Sequence, residues 1–152
     1  MQLHFDSVLT PIHIGDSVPS LSAILLNDAY YGLLLKGKSV VDGYSVLGLE
    51  YIMLFKIKAW LDLSERVEAG ERIDSKTVKK HKNDIFRLLI NISPISRVEV
   101  QDEIHEDINQ FLEKIIKDKP DLKNIEIRAV TLEELLDRIR ELYVNTASEG
   151  TL

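Results

Sequence analysis

The sequence contains no cysteine, so disulfide bonds and thiolate metal sites are excluded. Its apolar runs are far shorter than the roughly 20 residues that a transmembrane helix requires, and we expect no membrane partner. The first residues, MQLHFDSVLTP, include acidic Asp6 and no basic segment, which argues against a signal peptide. Together these absences predict a cytoplasmic protein.

Basic residues are too few to dominate the surface. Lys and Arg number 19 against 25 Asp and Glu, and the formal net charge is -6. Such a surface exerts no broad attraction on nucleic acid or anionic lipid, although a local basic cleft is compatible with it. The four histidines show no HxH or HExxH spacing, which argues against a histidine-based metal site.

The chain has 152 residues, 45% of them hydrophobic, which suffices for one domain with a core. We predict a single α+β domain over residues 1–146, strand-rich over 1–47 and helical over 48–146. A disordered tail is predicted for residues 147–152.

Strand patterns occur in the first third of the chain. The segment MQLHFDSVL alternates apolar and polar residues, and Asp42-Gly43 separates KSVV from YSVL as in a hairpin. The segment AILL is interpreted as an apolar strand, whereas Tyr30–Leu35 fits either a strand or a short helix. These strands predict a small, partial sheet that needs a covering layer.

A bundle of about four helices is predicted to supply that layer. Gly70, Pro94 and Pro120 mark helix ends, and Thr131 with Glu134 forms a capping box. Ile125–Ile127 fits a short strand between the last two helices. The predicted helices span about Leu49–Glu68, Lys76–Ile92, Gln101–Lys117 and Thr131–Tyr143.

Lys56 occupies an unexpected position in the first of these helices. On a helical wheel it lies among Leu49, Leu63 and Val67, in the middle of the apolar stripe, whereas Lys58 lies on the polar face. A buried charge must be paired, neutral or next to a cavity. We predict that Lys56 is buried and either paired with a carboxylate or facing a cleft; the alternative is a side chain that extends along its stem to solvent.

The second helix also places polar residues near its apolar face. His81 and Lys82 interrupt that face, and Asp84 lies at its edge. A buried histidine with satisfied hydrogen bonds is the preferred interpretation of His81 over a catalytic one. Lys79 and its neighbours are interpreted as solvated side chains at a basic helix start.

The segments around these residues resemble nucleotidyltransferase-like proteins of the abortive-infection type, the AbiEii-like toxins. Lys56-Ile57-Lys58-Ala59 is similar to a Lys-x-x-Ala element of that family, and the segment 83–88, NDIFRL, is an imperfect match to its basic-Asp-aromatic element. The resemblance implies catalytic roles for Lys56, as a phosphate contact, and for Asp84, which would orient Lys56 or the acceptor. Lys82 becomes a second candidate for nucleotide binding.

The resemblance covers only the C-terminal two thirds of such a protein. The family's Gly-Ser or Gly-Gly turn and its Asp-x-Asp pair, which hold Mg²⁺ and the triphosphate of an NTP, are absent from the sequence. Asp6 is the one candidate for a metal ligand that remains. We therefore expect an incomplete nucleotidyltransferase-like fold, inactive alone and without cofactor, whose complete form would transfer a nucleotidyl group from an NTP to RNA or protein.

A non-catalytic interaction module is the alternative. An incomplete sheet leaves an open strand edge, and such an edge tends to pair with another chain. A homodimer through the strand-rich first third would satisfy that edge. An RNA or an antitoxin protein is a further candidate partner, which the resemblance alone implies.

Overall fold

The computed structural model describes residues 21–146 and shows an α+β protein, a helical bundle accompanied by two small sheets. The described elements are α1 (Leu21–Leu25), α2 (Asp28–Gly37), β1 (Lys38–Val41), β2 (Tyr44–Leu47), α3 (Leu49–Glu68), α4 (Ser75–Leu89), β3 (Val98–Val100), α5 (Asp102–Lys117), α6 (Leu132–Leu142) and β4 (Tyr143–Asn145). Among these helices, none combines the length and the apolar character needed to cross a bilayer.

Helix α3 is the centre of the bundle. Helices α1, α2, α4 and α5 all pack against it. Its middle is buried on almost every side, as the complete burial of Met53, Phe55, Ile57 and Ala59 shows. A helix that is apolar all around must be enclosed by other elements, so any polar side chain in the middle of α3 has to find its partner on a neighbouring helix.

The predicted limits of the helices are largely confirmed. Helix α3 has the predicted bounds, Gly70 follows it with a φ of 90°, and Asp74 caps α4 by accepting a hydrogen bond from the Lys76 amide. Helix α4 ends three residues earlier than predicted. The side-chain amide of Asn91 donates to the Arg87 carbonyl at 2.9 Å and ends the helical ladder there.

The strands predicted between residues 21 and 37 are wrong. The segment AILL belongs to α1 and the turn that follows it, and the helical alternative for Tyr30–Leu35 is confirmed because these residues lie in α2. Asn27 starts α2 by accepting hydrogen bonds from the amides of Ala29 and Tyr30. Capping by Asn27 and apolar contacts with α3 together favour helix over strand for this apolar sequence.

The predicted hairpin is confirmed, and a second sheet is new. Strands β1 and β2 pair antiparallel around Asp42 and Gly43, whose φ angles of 51° and 81° suit a tight hairpin turn. The expected strand at Ile125–Ile127 is wrong, since the backbone turns there. Instead β3 pairs in parallel with β4. The predicted strand MQLHFDSVL and the predicted tail at 147–152 lie outside the described residues.

Two glycines of α2 are expected to respond oppositely to alanine. A Cβ on Gly37 would overlap the ring of Tyr51, lying 2.6 Å from its Cδ atoms, whereas a Cβ on Gly32 meets nothing within 4 Å. We expect Gly37→Ala to lower the free energy of unfolding by about 1–2 kcal/mol through this overlap. Gly32→Ala should raise it by about 0.5–1 kcal/mol, because alanine is the better helix former. Urea denaturation measures the free energy of unfolding of both variants. Equal changes in this free energy would contradict the packing of α2 on α3.

Candidate functional site: a buried polar cluster between α3 and α4

Lys56 is buried between α3 and α4, as its sequence position predicts. Only 7% of the residue is exposed, and its Nζ lies 3.2 Å from Oδ2 of Asp84. The prediction of a buried, carboxylate-paired lysine is therefore confirmed, and the alternative of a side chain extended to solvent is wrong. The Lys-x-x-Ala segment and the segment NDIFRL, distant in sequence, thus meet through one ion pair.

Asp84 links this buried pair to the protein surface. Its Oδ2 accepts from Lys56 and its Oδ1 lies 3.2 Å from an Nη of Arg87, one turn further along α4. The side chain of Asp84 is 23% exposed and that of Arg87 is half-exposed. The carboxylate is therefore held between a buried and a solvated cation, and it marks the solvent-facing end of the cluster.

Two neighbouring side chains are buried without complete hydrogen bonding. His81 and Asn83 are almost fully buried, and the Nδ1 of His81 and the Oδ1 of Asn83 have no partner among the described residues. The prediction of a buried His81 is confirmed, but that of a satisfied one is wrong for Nδ1. A buried polar atom without a partner costs about 1–3 kcal/mol. Of the two residues, His81 belongs to the cluster, because the charges of both Lys56 and Asp84 act on it.

His81 is neutral at physiological pH in this environment. Burial, the positive charge of Lys56 and that of Lys80 lower the pKa of His81 to about 4, against an opposing effect of Asp84. A neutral imidazole can accept a proton or a hydrogen bond through its unpartnered nitrogen. The cluster therefore combines a cation, a carboxylate and an unprotonated base within one buried layer.

Lys82, the other candidate for nucleotide binding, is paired elsewhere. Its Nζ lies 3.1 Å from Oδ1 of Asp118 and donates to the Asp118 carbonyl at 3.2 Å, so it ties α4 to the end of α5. Lys82 is also almost fully buried. The structure thus brings Lys56 and Asp84 together and gives Lys82 a different carboxylate.

The described residues do not fit a Mg²⁺ site. Residues 21–146 contain no group of three or more His, Asp or Glu side chains that could surround a metal ion, and both oxygens of Asp84 already contact cations. Asp6, the predicted metal ligand, lies outside the described residues.

A second polar cluster was missed at the level of sequence. Lys58, expected on the solvated face of its helix, is half-buried, pairs with Asp107 of α5 at 3.3 Å and lies 5.4 Å above the Tyr30 ring. The Tyr30 hydroxyl donates to the same carboxylate at 2.7 Å, and burial, with Asp107 nearby, raises the pKa of Tyr30. Helices α2 and α5 cover this face of α3, which a wheel of one isolated helix cannot show.

No protein-family model, no curated protein and no solved structure matches the chain. The resemblance to AbiEii-like proteins, which depends on the segments 56–59 and 83–88, therefore stays a prediction.

Proposed function

We propose that the chain carries the phosphate-contacting helices of a nucleotidyltransferase-like protein of the abortive-infection type. Lys56 is the cation that contacts a nucleotide phosphate, and Asp84 orients it. The observation that carries the proposal is the ion pair of 3.2 Å between the two residues matched to the family's helical elements. Complete, such a protein would transfer a nucleotidyl group from an NTP to RNA or protein, and an antitoxin would be a further partner.

The hydrogen bonding of Lys56 leaves room for a phosphate. An ammonium group has three N–H donors, and one of them is directed to Asp84. The remaining donors could serve anionic oxygens that enter beside Asp84, at the solvent-facing end of the cluster. Because a buried charge is costly to maintain, a position that merely packs against α4 would favour an apolar residue instead.

The chain alone is proposed to be catalytically inactive. Its sequence contains neither the Gly-Ser or Gly-Gly turn nor the Asp-x-Asp pair that transfer chemistry in this family requires. Lys56 and Asp84 can bind and orient a phosphate, but a lysine and an aspartate that neutralise each other cannot replace metal-bound carboxylates in stabilising the charge of phosphoryl transfer.

Nucleotide binding tests the role of Lys56. Titration calorimetry with each NTP is expected to show weak binding, on the order of 100 µM to 1 mM, and Lys56→Met should weaken it about tenfold through the lost charge. Lys58→Met is the matched control, since Lys58 lies two residues away on α3 and pairs with Asp107. Equal binding by both variants, or none by the wild type at millimolar NTP, would refute the phosphate contact.

Incubation with labelled NTP, Mg²⁺ and bulk RNA tests the second part of the proposal. We expect no incorporation of label by the chain alone, because the Asp-x-Asp pair is absent. Robust transfer would show that the active site lies elsewhere, and its loss in Asp6→Ala would locate that site near Asp6 rather than at Lys56.

A second candidate function, an interaction module, is supported by an exposed apolar surface before Gly48. Tyr31 and Leu35 lie one turn apart on α2, and each is about half-exposed. On β1, Val40 is 70% exposed and Val41 is 52% exposed. Adjacent residues of a strand point to opposite faces, so both faces of β1 are open. Within residues 21–146, the sheet that contains this hairpin consists of β1 and β2 alone.

We propose a second copy of the chain as the occupant of this surface. A two-fold pairing of hairpin edges is expected to give a dimer mass in light scattering at micromolar concentration. Val40→Glu should shift that mass to the monomer, because a charge would enter the interface, whereas Ile95→Glu, at an exposed position outside the hairpin, should not. A monomer mass for the unchanged protein would rule out the hairpin-mediated dimer.

A further inference from the structure

A groove separate from the Lys56–Asp84 pair lies where three helices converge. It is formed by the second half of α3, the first half of α4, and the end of α5 with the segment that follows it; its cavity volume is about 660 Å³. Sites for small molecules and cofactors span roughly 300–1,000 Å³ and combine an apolar lining with a few polar groups. Trp60, Val67, Ile73 and Val78 supply the apolar lining here.

Lysines surround this apolar lining, and we call the site the lysine groove. Three carboxylates, those of Glu68, Asp118 and Asp121, also line it, so positive charges exceed negative ones in a chain whose net charge is -6. The local sign of the charge therefore opposes that of the whole molecule. The lysines that line the groove are Lys79, Lys82, Lys114, Lys117 and Lys119.

Two of these lysines hold the walls of the groove together. Lys82 pairs with Asp118 across α4 and α5, and Lys114 pairs with Glu68 at 3.0 Å across α5 and α3. These contacts join all three helices around the cavity. The groove is therefore largely formed before any ligand enters, which reduces the entropic cost of binding.

The other three lysines do not join the helices through ion pairs. Among residues 21–146, the side chains of Lys79, Lys117 and Lys119 form no ion pair or hydrogen bond. Lys117 lies in the last turn of α5, where a cation is favoured by the helix dipole. The dipole does not account for Lys79, which lies near the start of α4, or for Lys119, which follows α5.

One residue of the lining has a buried donor without an acceptor. Trp60 is 2% exposed and packs edge-on against Phe111, and its indole N–H has no partner among the described residues. Buried indole N–H groups usually find an acceptor.

We propose that the lysine groove binds a small organic anion, a flat apolar body that carries phosphate or carboxylate groups. The apolar body lies against Val67 and Val78, and the anionic groups lie between Lys79 and Lys117. This site takes a ligand through residues other than Lys56 and Asp84, so the proposal does not depend on the nucleotidyltransferase-like assignment.

Binding of anilinonaphthalene sulfonate, an aromatic body with one anionic group, tests the proposal. We expect saturable fluorescence enhancement of the folded protein with one site and a dissociation constant on the order of 10–100 µM. Its neutral counterpart, N-phenylnaphthylamine, should bind at least about tenfold more weakly, because it cannot pair with the lysines. Phenyl phosphate and benzoate are the two competitors, and the stronger one identifies the preferred anionic group.

Charge-reversal variants locate the bound probe. Lys79→Glu/Lys117→Glu should weaken its binding at least about tenfold, and both positions are exposed, so folding should persist. Lys80→Glu/Lys123→Glu is the matched control, because it changes the net charge equally at exposed lysines outside the groove. Circular dichroism verifies that each variant is folded.

The outcomes separate this proposal from the proposed function. Equal weakening by both double variants, equal binding of the neutral compound, or failure of both competitors would overturn the anion site. Lys56→Met should leave the affinity for anilinonaphthalene sulfonate unchanged. NTP binding that is lost in Lys56→Met and kept in Lys79→Glu/Lys117→Glu would show two independent sites.

Discussion

Asp84→Leu should lower the free energy of unfolding by about 3 kcal/mol. The substitution leaves the Lys56 ammonium, 7% exposed, without its carboxylate in the interior of the bundle. Loss of one partner of a buried ion pair typically costs about 3–5 kcal/mol, and the partial exposure of Asp84 favours the lower end of that range. Urea denaturation at pH 7, with the slope checked for two-state behaviour, measures the effect.

Removal of the cation should change the free energy of unfolding much less. Lys56→Met is expected to stay within about 1 kcal/mol of the wild type, because Asp84 keeps Arg87 as a partner and remains partly solvated. The double variant Lys56→Met/Asp84→Leu should recover most of the stability lost in Asp84→Leu. Asp62→Leu, which breaks the exposed pair with Arg66, is the matched control and should cost about 0–1 kcal/mol.

The difference between the stability effects of Asp84→Leu and Lys56→Met distinguishes a ligand site from a structural ion pair. A lysine kept for its charge toward a ligand can be replaced by methionine with little loss of stability. If Lys56→Met instead cost several kcal/mol, the pair would be a structural element of the α3–α4 contact, and the phosphate-contact proposal would lose its physical basis.

The burial of Lys56 could be predicted because its helix was correctly delimited. Gly70 and the apolar spacing of α3 are local signals, and the position of Lys56 among apolar residues follows from them alone. The predicted pair with a carboxylate required no knowledge of the partner, only the cost of an unpaired buried charge. The identity of Asp84 came from resemblance, and the structure shows the two residues in contact.

Features that depend on how helices meet could not be predicted in the same way. The pairs Lys58–Asp107 and Lys82–Asp118 join residues 49 and 36 positions apart, and no local pattern relates them. Parallel pairing of β3 with β4 likewise joins three-residue segments from distant parts of the chain. The lysine groove has the same origin, since its lysines come from α4 and from the end of α5 and beyond, and only packing on α3 brings them together.

The strand prediction for the segments that form α1 and α2 is wrong for a different reason. Their apolar runs fit a buried strand as well as a buried helix, because periodicity alone does not separate the two. The deciding signal was Asn27, whose side chain caps α2. An Asn three residues before Tyr30 favours the helical alternative for Tyr30–Leu35, because Asn is a common residue at the start of a helix.

Acidification between pH 6.5 and 4 should destabilise the protein through His81. The pKa of His81 is about 4 in the folded protein and about 6.5 in the unfolded chain. Below pH 6.5 the unfolded chain therefore binds a proton that the folded protein does not, and the free energy of unfolding falls as pH decreases. The loss is complete below pH 4 and absent at pH 7. Its expected size is about 2 kcal/mol, after allowance for solvent screening.

Comparison of His81→Gln with the wild type isolates this contribution from the titration of carboxylates. The difference in free energy of unfolding between the two proteins should shift by about 2 kcal/mol in favour of the variant from pH 7 to pH 4.5, because glutamine takes up no proton. His105→Gln, at a half-buried position on α5 whose ring contacts Asn109, is the matched control. A difference that stays constant with pH would mean that His81 takes up its proton over the same pH range in the folded and unfolded states, and the cluster would then carry a second cation beside Lys56 below about pH 6.5.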